Sequence, residues 1–134
     1  MSTQQQGHTV ETEPSEKLVR VTVGGELIAE SRRALALHET HLRTRWYLPL
    51  EDVREGVLEA SEKTSHCPFK GDASYYSVRA GGELHADIAW TYRDPIPEVR
   101  EIAGLVCFYD EKVELTLDPP ASAEPLPPPR SAAA

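Results

Sequence analysis

Two pairs of consecutive glycines, Gly24-Gly25 and Gly81-Gly82, constrain the fold of this chain more than any other feature of its sequence. Each pair separates two runs rich in β-branched, aromatic and other apolar residues: 18–23 and 26–31 around the first, 73–79 and 84–92 around the second. Because glycine readily adopts positive φ, a Gly-Gly pair between two strand-like runs predicts a tight hairpin. The sequence therefore predicts two antiparallel β-hairpins.

The remainder of the central region also favours short strands. Further strands are predicted at 34–40, 46–48, 105–109 and 113–117, the last two as a final hairpin, with single helical turns at 50–54 and 98–103. Short strands separated by frequent turns are typical of antiparallel all-β domains. We therefore expect one all-β, mainly antiparallel domain over residues 18–118, with one or two short helical turns.

The two ends of the chain differ from this domain in composition. Residues 1–17 are too hydrophilic, and residues 119–134 too rich in Pro, Ala and Ser, to order themselves by burying apolar surface. Both ends are expected to be disordered and removable without loss of the fold. Residues 125–130 fit the P-x-x-P-x-R pattern of polyproline ligands. So short a pattern arises often by chance, and a plain disordered tail is the main expectation.

Charge and cysteine content restrict the class of protein. The formal net charge is −8, and the sequence lacks the basic stripe that a nucleic-acid binder uses to neutralise phosphates. No apolar run approaches the roughly 18 residues needed to cross a bilayer, and the first residues do not form a secretory signal. Two cysteines imply no disulfide framework. We expect a cytoplasmic protein that binds neither nucleic acid nor membrane, and the sequence leaves its oligomeric state open.

The segment 64–71, Thr-Ser-His-Cys-Pro-Phe-Lys-Gly, is the best candidate for a site, because it gathers a thiol, an imidazole and an amine. Cys67 could act as a nucleophile if a neighbouring cation stabilised its thiolate, although on a strand His66 would face away from it. Lys70, followed by Gly71, suits an anionic or carbonyl-bearing ligand. The alternative is that the segment only shapes a turn, with Cys67 as a small buried residue.

We expect a small-molecule pocket around this segment, between two sheets. The predicted ligand-binding residues are Tyr47, Pro49, His66, Lys70, Tyr76 and Trp90, with Cys67 as the candidate catalytic residue. A largely apolar cleft with a few convergent polar groups is what such pockets require. Two alternatives stay open: a non-catalytic protein-interaction module, and a thiol-dependent enzyme that uses Cys67.

Metal and cofactor binding are not predicted. His38 and His41 are three residues apart, which on a strand turns them to different faces. His85 and Asp87 would share a face, but two ligands are fewer than the three or four that zinc requires. The sequence contains neither a C-x-x-C pair nor a phosphate-binding glycine loop. We therefore expect no metal and no cofactor.

Several blocks of the sequence carry a resemblance to a known family. They are WYLP at 46–49 with EDV at 51–53, TSHCPFKG at 64–71, ASYY at 73–76, AWTY at 89–92 with Pro95, and IAG at 102–104 with FY at 108–109. In this order they are similar to the bacterial and fungal family named domain of unknown function 427. The resemblance covers about residues 18–118, nearly the whole predicted domain.

The resemblance implies a fold similar to the β-tent, in which two antiparallel sheets meet at an angle, as in methionine-R-sulfoxide reductases. Several tent relatives hold zinc through paired C-x-x-C knuckles, which this chain lacks. The family also carries an older label of nucleotidyltransferase, but the chain shows no pair of metal-binding carboxylates in a Gly-Ser context. A reductase-like role would depend on Cys67, because Cys107 lies in an apolar run and is expected to be buried.

Overall fold

The computed structural model describes residues 8–118. This part of the chain contains ten β-strands and two short 3-10 helices. In chain order they are β1 (Val10–Pro14), β2 (Leu18–Val23), β3 (Glu26–Ser31), β4 (Leu35–Glu39), β5 (Arg45–Leu48), η1 (Leu50–Asp52), β6 (Leu58–Cys67), β7 (Gly71–Ala80), β8 (Glu83–Thr91), η2 (Pro97–Ile102), β9 (Val106–Phe108) and β10 (Glu114–Asp118). The predicted tail 119–134 lies outside the described residues. Within residues 8–118, no helix is long and apolar enough to cross a membrane.

The strands form two sheets in which every strand pair is antiparallel. The large sheet has seven strands in the order β1-β4-β5-β9-β8-β7-β6, and the small sheet has three in the order β10-β2-β3. The predicted all-β fold is confirmed. So is the pairing of strands across both Gly-Gly turns, β2 with β3 and β7 with β8.

The large sheet separates two apolar clusters, because successive side chains of a strand point to opposite faces. On its inner face, the face toward the small sheet, Leu48 and Phe108 pack in one cluster with Val21 of β2. Each of these three side chains is almost fully buried, which stabilises the fold by about 1.5–3 kcal/mol per side chain. On the outer face, Ile102 of η2 packs in a second cluster with Tyr47. The η2 segment therefore covers part of the outer face.

Three details differ from the sequence prediction. The predicted disordered tail 1–17 contains β1, whose five residues pair with β4 and whose Val10 is buried in the outer cluster. The final hairpin is not formed, because β9 pairs with β5 and β8 in the large sheet while β10 pairs with β2 in the small one. The long strand β6 is not among the predicted strands, because it lies at a sheet edge and most of its residues are polar and exposed.

Candidate functional site

A cavity of about 360 Å³, here named the outer cavity, opens on the outer face of the large sheet. Its floor is aromatic, built from side chains that share one face of neighbouring strands. These are Tyr47 from β5, Tyr75 from β7, Trp90 from β8, and Tyr92 and Tyr109, which directly follow β8 and β9. The register pairs Tyr75 with Trp90. Cys107 of β9 in turn lies between Trp90 and Tyr47.

Ring contacts and hydrogen bonds hold the aromatic floor in place. The indole Nε1 of Trp90 donates to the Tyr47 hydroxyl at 3.1 Å, and the two rings meet edge to face with their centroids 6.5 Å apart. Tyr109 packs against Trp90 with a centroid distance of 4.5 Å. The Tyr75 hydroxyl shares a hydrogen bond of 3.0 Å with Ser65. Such aromatic pairs contribute about 1 kcal/mol each beyond the area they bury, so the floor is preorganised.

An ion pair between Lys70 and Glu39 forms part of the cavity wall. Lys70 Nζ lies 2.5 Å from Glu39 Oε1, and the two side chains are only 11% and 7% exposed. The second carboxylate oxygen of Glu39 lies 3.1 Å from His8 Nε2. The His8 ring stacks on Phe69 with the centroids 4.0 Å apart. Glu39 is therefore held between two basic side chains.

The turn between β6 and β7 fixes the position of Lys70. Its N–H donates to the Cys67 carbonyl at 3.1 Å, and its own carbonyl accepts from the N–H of Ile96 at 3.0 Å. Gly71 follows with a φ of +116°, and a Cβ at this position would lie 3.3 Å from Pro95 Cα. Only glycine fits this left-handed, closely packed position without strain. The segment 67–71 thus acts as a tight turn that places Lys70 at the cavity.

Arg45 forms a second charged part of the wall. Its guanidinium donates to both carboxylate oxygens of Glu111, at 2.9 and 3.2 Å, and to Asp110 at 2.6 Å. It also lies over the rings of Trp90 and Tyr109, 5.2 and 5.6 Å from their centroids. Hydrogen bonding from Arg45 lowers the pKa of Glu111 to about 2. The charge of Arg45 is therefore compensated by its acidic neighbours.

Burial keeps the phenols of Tyr47, Tyr92 and Tyr109 protonated. It raises the pKa of both Tyr47 and Tyr92 well above the ordinary tyrosine value. Burial, together with the neighbouring Tyr75, raises the pKa of Tyr109 to about 12. At neutral pH these groups can donate or accept hydrogen bonds but do not act as bases. Within residues 8–118, no three or more His, Cys, Asp or Glu side chains come together as a metal site.

The structure brings three of the predicted ligand-binding residues together, because Tyr47, Lys70 and Trp90 all line the outer cavity. Cys67 is half-buried at the end of β6 and packs against the same outer cluster. Its catalytic role stays a prediction. One expectation is corrected: the cavity lies on the outer face of the large sheet and not between the sheets, where the inner cluster packs.

The other three predicted ligand-binding residues lie away from the lining of this cavity. Pro49 is buried directly before η1. The exposed His66 ring bonds to Asp72 at 2.7 Å, on the side of β6 opposite to Cys67. Tyr76 packs against the inner cluster. Successive side chains along β6 and β7 point to opposite faces, which explains why His66 and Tyr76 lie away from the cavity. Ligand binding by Pro49, His66 and Tyr76 stays a prediction.

Glu39 and Arg45 are two of the charged wall residues that sequence reasoning missed, beside Arg43 and Glu111. Glu39 shares a face of β4 with the buried Leu37, and Arg45 shares a face of β5 with the buried Tyr47. A charge at a core-facing strand position is costly unless it is paired. Glu39 falls at an apolar position of the predicted strand 34–40, and this is the signal that could have found it. Arg45 lies one residue before the predicted strand 46–48, so the sequence prediction did not include it.

Comparison with known proteins identifies the family of this chain. No curated protein matches the chain significantly. The profile of a protein family described as "domain of unknown function (DUF427)" matches residues 11–119, and every residue that lines the outer cavity falls within that range. The resemblance seen in the sequence is confirmed, and the chain belongs to the DUF427 family.

Proposed function

We propose that the protein binds a small, flat molecule carrying a carbonyl or carboxylate group in the outer cavity. The observation that carries this proposal is the burial of the Lys70–Glu39 ion pair in the wall of a cavity with an aromatic floor. The aromatic floor would hold the flat body of the ligand, and Lys70 would bind its polar group.

Stability alone does not account well for a buried ion pair. Moving a charged group out of water costs several kcal/mol per ion, which is about as much as the attraction between the two ions returns. A pair of apolar residues of similar size often stabilises a fold as well as the ion pair does, or better. A buried charged pair beside a cavity therefore supports a binding role. An ammonium group has three N–H donors, and within residues 8–118 the Lys70 ammonium makes one side-chain hydrogen bond, to Glu39. Its other donors can bind an acceptor on a ligand.

The size and lining of the outer cavity support the same ligand class. A volume of about 360 Å³ lies in the range of roughly 300–1,000 Å³ that is common for small-molecule sites. Flat rings pack on Trp and Tyr side chains with about 1 kcal/mol beyond the area buried. Arg45 is already bound to two carboxylates, and Arg43 is paired with Asp110 and largely exposed to water. Lys70 is buried and faces one carboxylate, so it is the cation that we expect to select the ligand's acceptor group.

Three probes that share one benzene ring test this proposal: benzoate, benzamide and benzylamine are an anion, a neutral amide and a cation. In Trp46→Phe protein, Trp90 is the one remaining tryptophan, so its fluorescence reports binding at the cavity floor. We expect benzoate and benzamide to bind more tightly than benzylamine. Lys70→Met should weaken benzoate binding at least about tenfold, because a hydrogen bond to a charged group contributes about 1.5–3 kcal/mol.

Lys17→Met is the matched control, because it makes the same chemical change outside the outer cavity. It should leave the Kd for benzoate unchanged. If Lys70→Met is poorly folded, the charge-balanced double variant Glu39→Gln/Lys70→Met replaces it. Equal affinity for all three probes, or equal effects of Lys70→Met and Lys17→Met, would contradict the proposal.

A further inference from the structure

A second groove, of about 680 Å³, lies on the opposite side of β4 and β5 from the outer cavity. Trp46 lines it together with Ala36 and His38, whose side chains share the other face of these two strands. Residues 13–17, which lead from β1 into β2, line a second side, and Arg32 directly after β3 lines a third. We name this site the Trp46 groove. Its residues take no part in the proposed small-molecule site.

The Trp46 groove combines an accessible aromatic ring with a polar rim. Trp46 is only half-buried, and Lys17 Nζ lies 5.7 Å from its ring centroid. Glu13, Glu16, Lys17 and Arg32 contribute both signs of charge to the lining. An aromatic face in a groove suits a polyproline segment, because proline rings pack flat on the aromatic ring and the stiff segment loses little entropy on binding.

The sequence contains such a segment after β10, whose last residue lies beside this groove. β10 runs antiparallel to β2, and its last residue, Asp118, pairs with Leu18. The chain therefore leaves β10 in the direction of Lys17 and Glu16, both of which line the Trp46 groove. Six residues, 119–124, separate Asp118 from residues 125–130, which have the sequence Pro-Leu-Pro-Pro-Pro-Arg. In extended form, at about 3.1 Å each, the six intervening residues reach about 20 Å, which is long enough to bring the segment from Asp118 to the groove.

The charges of the groove and of the C-terminal segment are complementary. Within residues 8–118, neither Glu16 nor Arg32 forms an ion pair. Glu124 directly precedes the segment 125–130, and Arg130 is its last residue. A polyproline segment laid across Trp46 would thus find an acidic and a basic partner on the rim.

We propose that the Trp46 groove is a polyproline-binding site whose occupant is residues 125–130 of the same chain. The proline rings pack on the indole of Trp46, and Arg130 is drawn to the acidic side of the rim. Attachment through a short connection gives the segment an effective concentration on the order of millimolar. A contact whose Kd for the free segment is well below a millimolar is then largely formed, and the segment excludes other proline-rich ligands from the groove.

NMR of the full chain labelled with ¹⁵N tests this proposal, since the protein contains two tryptophans and so gives two indole N–H signals. Trp90→Phe assigns them. We expect the variant with Pro125, Pro127, Pro128 and Pro129 replaced by alanine to shift the Trp46 indole signal and leave the Trp90 signal in place. Adding a free peptide of residues 123–132 should return the Trp46 signal of the variant toward its wild-type position. A peptide with the same four alanines should not.

Competition then distinguishes an occupied groove from an empty one. The free peptide should bind the four-alanine variant at least tenfold more tightly than it binds the wild-type chain, in which the groove is already filled. Identical Trp46 signals in the two proteins would overturn the proposal, as would equal peptide affinities. A Trp46 signal that changes on tenfold dilution would show that the segment comes from a second copy, which would also overturn it.

Discussion

The carboxyl group of Glu111 is the place where pH acts most clearly on a single residue of this protein. Hydrogen bonding from Arg45 lowers the pKa of Glu111 from 4.5 to about 2. Because the pKa is lower in the folded state than in the unfolded one, this pair stabilises the fold fully above a pH of about 4.5. Its contribution is lost as the pH falls toward 2. We expect Glu111→Gln to flatten the decrease in the urea unfolding midpoint between about pH 5 and pH 2.

The matched control for this prediction is Glu114→Gln. Glu114 is exposed and, within residues 8–118, forms no ion pair, so its removal should leave the slope of the midpoint against pH as in the wild type. Parallel curves for wild type and Glu111→Gln would contradict the assigned role of Arg45. Since Glu111 is partly exposed, added salt should reduce the difference between the curves.

At the scale of elements, the parts of this fold that could be predicted are those specified by neighbouring residues. Both Gly-Gly hairpins follow from local turn geometry and from strand-like flanks. The partner of β10 could not be predicted in this way, because β2 lies far away in the sequence and pairing with it competes with a local hairpin to β9. β1 escapes prediction because only Val10 among its residues is buried, so the strand has almost no apolar pattern.

The same distinction explains how much of the candidate site could be predicted. Lys70 stands out in the sequence, because a lysine beside Gly71 and Cys67 has an evident chemical use. Its partner Glu39 does not, because the two are 31 residues apart and meet only through the order of strands in the large sheet. Alternation predicts that His66 and Cys67 face apart, and within a strand such face assignments can be made from the sequence alone.

The contact between the two Gly-Gly turns offers a test at the same scale. Gly81 has a φ of +62°, and a Cβ at this position would overlap the carbonyl oxygen of Gly24 in the other turn. Gly81→Ala therefore adds a clash between the two sheets to the ordinary strain of a positive φ. We expect it to lower the free energy of unfolding by about 3 kcal/mol, of which about 1 kcal/mol is backbone strain and the rest overpacking. Urea denaturation measures this change.

Gly82→Ala is the control, since Gly82 has a φ of +81° and a Cβ added there would meet no atom within 4 Å beyond its chain neighbours. It should cost only the strain of about 1 kcal/mol. Equal decreases in the free energy of unfolding for the two variants would show that the two turns are not in close contact. A large decrease in the free energy of unfolding for Gly81→Ala, but not for Gly82→Ala, would show that the two sheets are in close contact at these hairpin turns.

At the scale of the whole molecule, the N-terminal residues complete both the large sheet and the site. β1 pairs with β4 along five residues, Thr12 Oγ1 donates to Glu101 of η2, and His8 bonds to Glu39 in the cavity wall. The family match, which begins at residue 11, includes almost all of this strand. Sequence composition alone predicts the opposite, that residues 1–16 can be removed with little effect.

Deleting residues 1–15 decides between these expectations. Without β1, the edge of β4 loses its hydrogen-bonding partner and the outer cluster around Leu37 becomes exposed to water. We therefore expect the melting temperature to fall by more than about 10 °C, which is equivalent to roughly 2 kcal/mol for a domain of this size. Val10→Ser should reproduce part of this decrease in melting temperature, because Val10 is buried, whereas Glu11→Ser at the adjacent exposed position should not.

A deletion variant that melts within a few degrees of the full chain would mean that β1 adds no stability. In that case the fold would depend on the remaining six strands of the large sheet, and His8 would be dispensable to the wall formed by Lys70 and Glu39.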